Sequence, residues 1–182
     1  MIVQSLGATI TPVSAIGSGT FNNSANLLID GVIPAEATAW TQPTNIWWNG
    51  TSPTFTIDLG NIYKVDDVTV SVDNSGSYRM QYSVDNAIYN TLFIIGVADG
   101  EISFGMDTMS SDSTHPEHIA NIEFASVQAR YLRLFALSGD NNYAAAEIMP
   151  EGIPLLTAAW LAIPVLGWLG SVRLIRTMRF NR

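Results

Sequence analysis

The 182-residue sequence contains no cysteine. This absence excludes a disulfide framework, an iron–sulfur cluster, a zinc site built on thiolates and a cysteine nucleophile. A folded domain in this chain must therefore be stabilised by its hydrophobic core, alone or together with a bound ion. About 150 residues suffice for such a core, because a chain of that length buries roughly two-thirds of its unfolded surface.

Basic residues are also scarce, and half of them lie at the C-terminus. All sixteen acidic residues occur at or before position 151, where only four basic residues oppose them. Residues 1–152 therefore carry a formal charge of −12, and the four arginines of residues 173–182 account for the rest of the net −8. Nucleic-acid phosphates need a basic footprint, so this composition excludes a nucleic-acid partner.

Catalytic signatures are nearly absent. The two histidines, His115 and His118, lie in a polar stretch interrupted by Pro116, which predicts a solvated loop rather than a zinc helix. The chain has neither the Gly-x-Ser-x-Gly elbow of serine hydrolases nor a phosphate-binding loop. We therefore predict a protein that is not an enzyme.

Short stretches of β-branched and aromatic residues dominate the acidic part of the chain. Gly, Pro, Asn and Asp separate these stretches, and Gly60-Asn61 is predicted to form a turn. Six to nine strands at this spacing are typical of a β-sandwich or jelly roll, so the predicted fold class is all-β. Strands are expected at residues 8–15, 53–59, 65–72, 78–84, 92–97, 119–124, 130–137 and 143–149.

The C-terminal region has the composition of a membrane anchor. Residues 152–172 carry no charge, and as a helix they would extend about 32 Å, enough to cross a hydrocarbon core of about 30 Å. The arginines that follow would stay in the cytoplasm. We therefore expect a domain at 8–149 outside the cytoplasm, a linker at 150–152, a transmembrane helix at 153–172 and a basic tail at 173–182.

The first residues present no visible export signal. Residues 1–7 have no basic region and no continuous apolar run of seven residues, although the expected orientation requires export. We interpret them as an N-terminal segment that is the remnant of a lost signal region. The alternative is that the C-terminal helix itself directs targeting.

Five short motifs, in order, resemble the discoidin, or coagulation factor 5/8 type C, family. They are NLLIDG (26–31), TAW (38–40), FTIDLG (55–60), YSVD (82–85) and ARYLRL (129–134). The resemblance covers nearly all of the predicted outer domain. It implies a galactose-binding-like jelly roll, which agrees with the strand pattern.

The C-terminal segment is similar to a PEP-CTERM sorting signal. Ile153 and Pro154 open a stretch that continues into alanines, tryptophan and leucine, and Arg173 and Arg176 begin the arginine cluster. The resemblance implies recognition by an exosortase and delivery to the surface or exopolysaccharide of a Gram-negative bacterium. The Pro-Glu-Pro of the common form is absent, so cleavage of the tail and retention as a membrane anchor both stay open.

The discoidin resemblance also implies a calcium site. Carried over residue by residue, it gives Asp30, Thr38 and Glu147 as ligands, with Glu36 as a further oxygen. Calcium prefers six to eight hard oxygens, which an Asp-Gly turn and nearby carboxylates can supply. The alternative is that Asp30 only caps a turn and Glu147 is solvated.

Aromatic residues next to polar loops suggest a carbohydrate site. Adjacent residues of a strand face opposite sides, so either Trp47 or Trp48 can be exposed while the other fills the core. Exposed aromatic faces stack on sugar rings, and Asn141 and Tyr143 of the loop that begins at Gly139 offer similar contacts. The alternative is that the tryptophans only pack inside the domain.

These observations predict a non-catalytic binding module outside the cytoplasm that recognises surface polysaccharide or exopolysaccharide. A structural protein of the envelope or biofilm matrix, packing against protein partners, is the alternative. The two differ in whether soluble sugar competes for the binding surface.

Overall fold

The structure is a computed structural model that describes residues 9–10 and 21–155. Within these residues, every pairing between strands is antiparallel. Two short 3-10 helices, Ala25–Leu28 and Ala120–Ile122, interrupt the strands. The strands are β1 (Thr9–Ile10), β2 (Phe21–Asn22), β3 (Ile46–Asn49), β4 (Thr54–Asp73), β5 (Ser77–Ser83), β6 (Asn90–Ile95), β7 (Met106–Ser110), β8 (Val127–Ser138) and β9 (Asn142–Pro154).

The long strand β4 connects the layers of an antiparallel β-sandwich. Its first half pairs with β1 and β8, and its second half pairs with β9 and β7. Strands β5 and β6 extend the sheet beyond β8, whereas β3 and β2 extend it beyond β9. The predicted all-β sandwich is therefore confirmed for the described residues.

The alternating pattern of β4 explains its burial. Phe55, Ile57 and Leu59 are almost fully buried on one face, and Tyr63 and Val65 continue that face further along the strand. Full burial of each such side chain stabilises the fold by about 1.5–3 kcal/mol. They pack with side chains of β3, β5, β8 and β9 in one core.

The predicted turn at Gly60-Asn61 is wrong, because β4 runs through these residues. Gly60 adopts φ of 79°, and its N–H donates to Asp58 Oδ1 at 2.8 Å. The pairing with β8 shifts register between Asp58 and Tyr63. Glycine at this position permits an irregularity within one strand, and it does not form a turn between two strands.

Strand β9 continues through the predicted linker. Pro150 and Gly152 pair with Val68 and Val65 of β4, so residues 150–152 belong to the sheet and not to a linker. Proline fits because Val68 directs both its N–H and its C=O toward Ser111, on the side away from β9. Pro150 therefore removes no hydrogen bond from this pairing.

The structure differs from the predicted strands at two further points. The strand expected at 119–124 is absent, and a single 3-10 turn there buries Ile122. Strands β3 and β7 were not in the predicted set: β3 has only four residues, and β7 is buried on both faces and so lacks alternation. Of the strand expected at 8–15, only Thr9–Ile10 falls in the described residues.

The predicted transmembrane helix falls almost entirely outside the described residues. Its first two residues, Ile153 and Pro154, end β9, and the N–H of Leu155 donates to the Ile62 carbonyl at 3.0 Å. Residues 156–182, which include Arg173 and Arg176, are not described. In the described part, no helix is long and apolar enough to cross a membrane.

Substitution of Gly152 tests whether β9 extends past residue 149. A Cβ at this position would lie 2.1 Å from the Lys64 carbonyl oxygen, so we expect Gly152→Ala to lower the free energy of unfolding by at least about 1–3 kcal/mol. Denaturant unfolding of the full chain measures this loss. Gly96→Ala is the control, because its Cβ would meet only Asp99 Oδ2 at 3.4 Å. Equal stability of the two variants would contradict the pairing of Gly152 with β4.

Candidate functional site

The two tryptophans of β3 face opposite sides of the sheet. Trp48 is completely buried, whereas Trp47 is partly exposed. In the pairing with β9, Trp48 lies opposite Tyr143 and Trp47 lies opposite Ala144. The alternation expected from the sequence is therefore present, and Trp47 is the residue on the outer face.

Trp48 and Tyr143 belong to an aromatic cluster inside the sandwich. The centroid of the Trp48 ring lies 4.7 Å from that of Phe55 and 6.0 Å from that of Tyr143. Gly76 and Gly139 press against the Tyr143 ring, where a Cβ on either glycine would come within 2.9 Å of it. Trp48 and Tyr143, expected as ligand contacts, are thus covered on all sides and cannot stack on a sugar.

Trp47 forms a second, smaller aromatic contact on the outer face. Its ring meets that of Trp40 edge-on, with centroids 5.4 Å apart and planes at 85°. Both rings pack against Met106, Ala144 and Ala146, and the two alanines leave room for the indoles. Trp40 was not among the predicted ligand residues. Its position depends on the loop 30–45 folding over β7, which the sequence pattern does not show.

Asn141 lies at an exposed corner beside the end of β3. Its carbonyl oxygen accepts hydrogen bonds from Asn49 Nδ2 at 3.1 Å and from the Gly50 N–H at 3.3 Å. Its backbone has φ of 74°, a left-handed conformation that asparagine tolerates. These contacts fix the backbone of the loop and leave the Asn141 side chain at the surface, as a binding role would require.

Asp30 and Glu147 lie next to each other, as the family resemblance implied. The Gly31 N–H, in the turn that follows Asp30, donates to Glu147 Oε2 at 2.9 Å. Glu147 is only 1% exposed. Burial, followed by the neighbouring charge of Asp30, raises the pKa of Glu147 to about 7. Two adjacent carboxylates, one of them desolvated, suit a hard cation, because a cation restores the charged form.

Thr38 and Glu36 occupy the far end of the same loop. The Thr38 hydroxyl donates to the Ala35 carbonyl, and the Thr38 carbonyl accepts the Met106 N–H at 2.8 Å. The carboxylate of Glu36 lies with those of Glu101 and Glu117, whose oxygens are all within 4.8 Å of one another. The structure therefore places Glu36 in a separate acidic cluster, which the sequence did not predict.

The predicted loop around the histidines is observed. His118 Nε2 lies 2.8 Å from Glu123 Oε1, and His115 Nδ1 accepts the Glu117 N–H at 3.1 Å. Arg130 makes a bidentate ion pair with Asp58, in which Nε donates to Oδ1 at 2.8 Å and Nη2 donates to Oδ2 at 3.0 Å. This ion pair lowers the pKa of the Asp58 carboxyl. These contacts hold loops and strands together.

Comparison with known families agrees with this fold and its motif order. The F5/8 type C domain matches residues 9–149, most of the chain. The chain belongs to the F5/8 type C family. No match is found among curated proteins. The predicted discoidin resemblance is thereby confirmed.

Solved structures show the same fold at low sequence identity. The module CpGH89CBM32-5 from Clostridium perfringens, in complex with GalNAc-beta-1,3-galactose, is 19% identical with a TM-score of 0.50, over 82% of this chain and 99% of that one. A family 89 glycoside hydrolase from Clostridium perfringens, in complex with PUGNAc, is 20% identical with a TM-score of 0.51. The match covers 85% of this chain but only 15% of the hydrolase.

The different environments of the two β3 tryptophans predict different costs of truncation. Trp48→Ala would leave a cavity in the core, so we expect a loss of roughly 3–5 kcal/mol in the free energy of unfolding. Trp47→Ala removes a partly exposed ring and should cost about 1 kcal/mol. Denaturant unfolding of the two variants beside the parent protein measures both values. A larger loss for Trp47→Ala would show that the faces of β3 are assigned the wrong way round.

Proposed function

We propose that this F5/8 type C domain is a non-catalytic module that binds carbohydrate outside the cytoplasm. The observation that carries the proposal is the partly exposed Trp40–Trp47 pair on the outer face of β3. Indole faces bind sugar rings by apolar contact. The pair is supported from beneath by Met106 and two alanines, so its rings are positioned before a ligand arrives.

Polar groups that could orient a sugar lie at the adjacent end of β3. Asn141 presents an exposed side chain there, on a loop whose backbone is fixed by Asn49 and Gly50. A module of the same fold was solved with GalNAc-beta-1,3-galactose, which supports a saccharide as the ligand class. Our proposed ligand is a surface polysaccharide or exopolysaccharide.

Calcium is the ion that we propose at Asp30 and Glu147. The donor set fits, because the two carboxylates are adjacent and the buried one is held by a backbone N–H. The proposed set also includes Thr38 of the same loop, although its hydroxyl donates to the Ala35 carbonyl in this structure. When bound, the ion would supply positive charge that keeps Glu147 ionised and ties the loop 30–38 to β9.

The C-terminal segment is proposed to sort or anchor the domain at the envelope of a Gram-negative bacterium. Ile153 and Pro154 pair with Lys64 and Tyr63 of β4. Processing after Leu155 would therefore leave β9 intact, whereas processing before Pro154 would remove paired residues. Recognition by an exosortase remains part of this proposal.

Glycan binding tests the proposed function directly. We expect the full chain in detergent micelles to bind at least one glycan of an array of bacterial surface polysaccharides. Trp47→Ala should weaken that binding roughly tenfold or more, since loss of an aromatic anchor typically costs more than about 1.4 kcal/mol. Tyr131→Ala is the matched control, because Tyr131 lies on β8, which does not adjoin β3 or β9. A folded protein that binds no glycan would favour the alternative of a structural envelope or matrix protein.

Removal of calcium tests the proposed ion. Calcium at a hundredfold excess over its dissociation constant should stabilise the folded state by about 2.7 kcal/mol, or roughly 5–10 °C in Tm for a chain of this size. Thermal unfolding with calcium and with chelator measures the shift. Glu147→Gln keeps the acceptor for the Gly31 N–H but removes the charge, so its calcium-dependent rise should be smaller. An unchanged rise in this variant would exclude Glu147 as a ligand, and Glu151→Gln serves as the control for charge.

A further inference from the structure

Three glutamates from three separate loops meet at one place on the surface. The carboxylate oxygens of Glu36, Glu101 and Glu117 all lie within 4.8 Å of one another. Glu36 precedes β3, Glu101 lies between β6 and β7, and Glu117 lies between β7 and β8. Like charges at this separation repel each other, and a divalent cation removes the repulsion.

Backbone hydrogen bonds to β7 and Asp107 hold these loops in place. At the start of β7, the Met106 carbonyl accepts the Ala37 N–H at 3.0 Å. At its end, the Ser110 N–H donates to the Glu117 carbonyl at 2.7 Å. The Glu101 N–H donates to Asp107 Oδ2 at 3.1 Å. The backbone is therefore held at Glu101, at Glu117 and at Ala37, which follows Glu36. The fold thus brings the three glutamates to one place.

Two buried oxygens beside the cluster accept no hydrogen bond from the described residues. They are Oδ1 of Asp107, which is 1% exposed, and Oδ1 of Asn74, which is 9% exposed. Both side chains press against the residue before Glu101: a Cβ on Gly100 would lie 1.9 Å from Asn74 Oδ1 and 2.7 Å from Asp107 Oδ2. Buried acceptors without a donor are costly, and a cation satisfies them.

The charge of Asp107 belongs to the same group. Its burial raises its pKa, and the nearby charges of Glu36 and Glu101 raise it further. Desolvation and the charges of Glu117 and Glu101 likewise raise the pKa of Glu36. The geometric link between Asp107 and the cluster is the hydrogen bond from the Glu101 N–H to Asp107 Oδ2.

The basic side chains of the described residues make their contacts elsewhere. Lys64 pairs with Asp66, and Arg130 pairs with Asp58. Arg133 lies over the Tyr89 ring, and Arg79 lies over that of Phe135. His115, next to the cluster, accepts the Glu117 N–H through Nδ1 at 3.1 Å.

We propose that Glu36, Glu101 and Glu117, with Asp107 beneath them, bind a divalent cation, and that this ion is calcium. The ligands are all hard oxygens on separate loops, and calcium accepts such irregular oxygen sets more readily than magnesium does. This site is distinct from Asp30 and Glu147. It would join the loop that carries Trp40 to the β6–β7 and β7–β8 loops.

Calorimetric titration of the full chain with calcium tests the proposal. The protein, held in detergent micelles and freed of ions by chelator, is titrated to about 10 mM, tenfold above the weakest range typical of extracellular modules. We expect Glu101→Gln combined with Glu117→Gln to lose one calcium equivalent relative to the parent protein. Glu151→Gln, which removes one charge outside the cluster, should keep it. Glu147→Gln should also keep this equivalent, whatever happens at its own site.

Thermal unfolding supplies a second readout. In chelator, the double variant should be at least as stable as the parent, because neutralisation relieves repulsion. In calcium, the parent should gain stability that the double variant does not gain. The proposal is overturned if the double variant binds calcium with the parent's stoichiometry and affinity, or if Glu147→Gln abolishes all binding. If the double variant does not fold, the single variants Glu101→Gln and Glu117→Gln give the same comparison. These results are independent of glycan binding.

Discussion

The pairing of β4 with four other strands is the constraint on which the rest of the structure depends. Its first half binds β1 and β8, its second half binds β9 and β7, and the irregularity around Gly60 lies in its first half. Without that strand, no strand pairing among the described residues would join β9 and its neighbours to β8 and its neighbours. The positions of β9 and β7 follow from it, and these two strands support both proposed binding regions.

Strand β9 places the candidate ligand surface and the candidate calcium site on one element. Its first residues pair with β3 and so fix Trp47 on the outer face, and Glu147 follows three residues after Ala144. Strand β7 has the same role for the acidic cluster, because its backbone binds the loops of Glu36 and Glu117. The domain thus uses buried strands to hold residues of long loops at fixed positions.

The sequence predicts the parts of this structure that depend on local order. Alternation in residues 53–59 and the motif order identify the sandwich and its family, and the Asp-Gly turn leads to the contact between Gly31 and Glu147. The register between β3 and the distant strand β9 decides whether Trp47 or Trp48 is exposed. The sequence alone therefore leaves both alternatives open.

Other features could not be predicted because they arise from contacts between remote segments. Pro150 and Gly152 have the composition of a linker, and only the free edge of β4 makes them part of a strand. Glu36, Glu101 and Glu117 are up to 81 positions apart in the numbering, so nothing in their local sequence indicates that they meet. Trp40 reaches Trp47 through the fold of a long loop for the same reason.

The continuation of β9 to Pro154 determines how the domain responds to mechanical force. A force applied along β9 between its two ends meets hydrogen bonds to β4 that lie across its direction. The load is therefore shared among the bonds of this pairing instead of breaking them one at a time from an end. A sugar held beside Trp47 at the other end of β9 would be connected to the C-terminal segment through a single strand that resists shear.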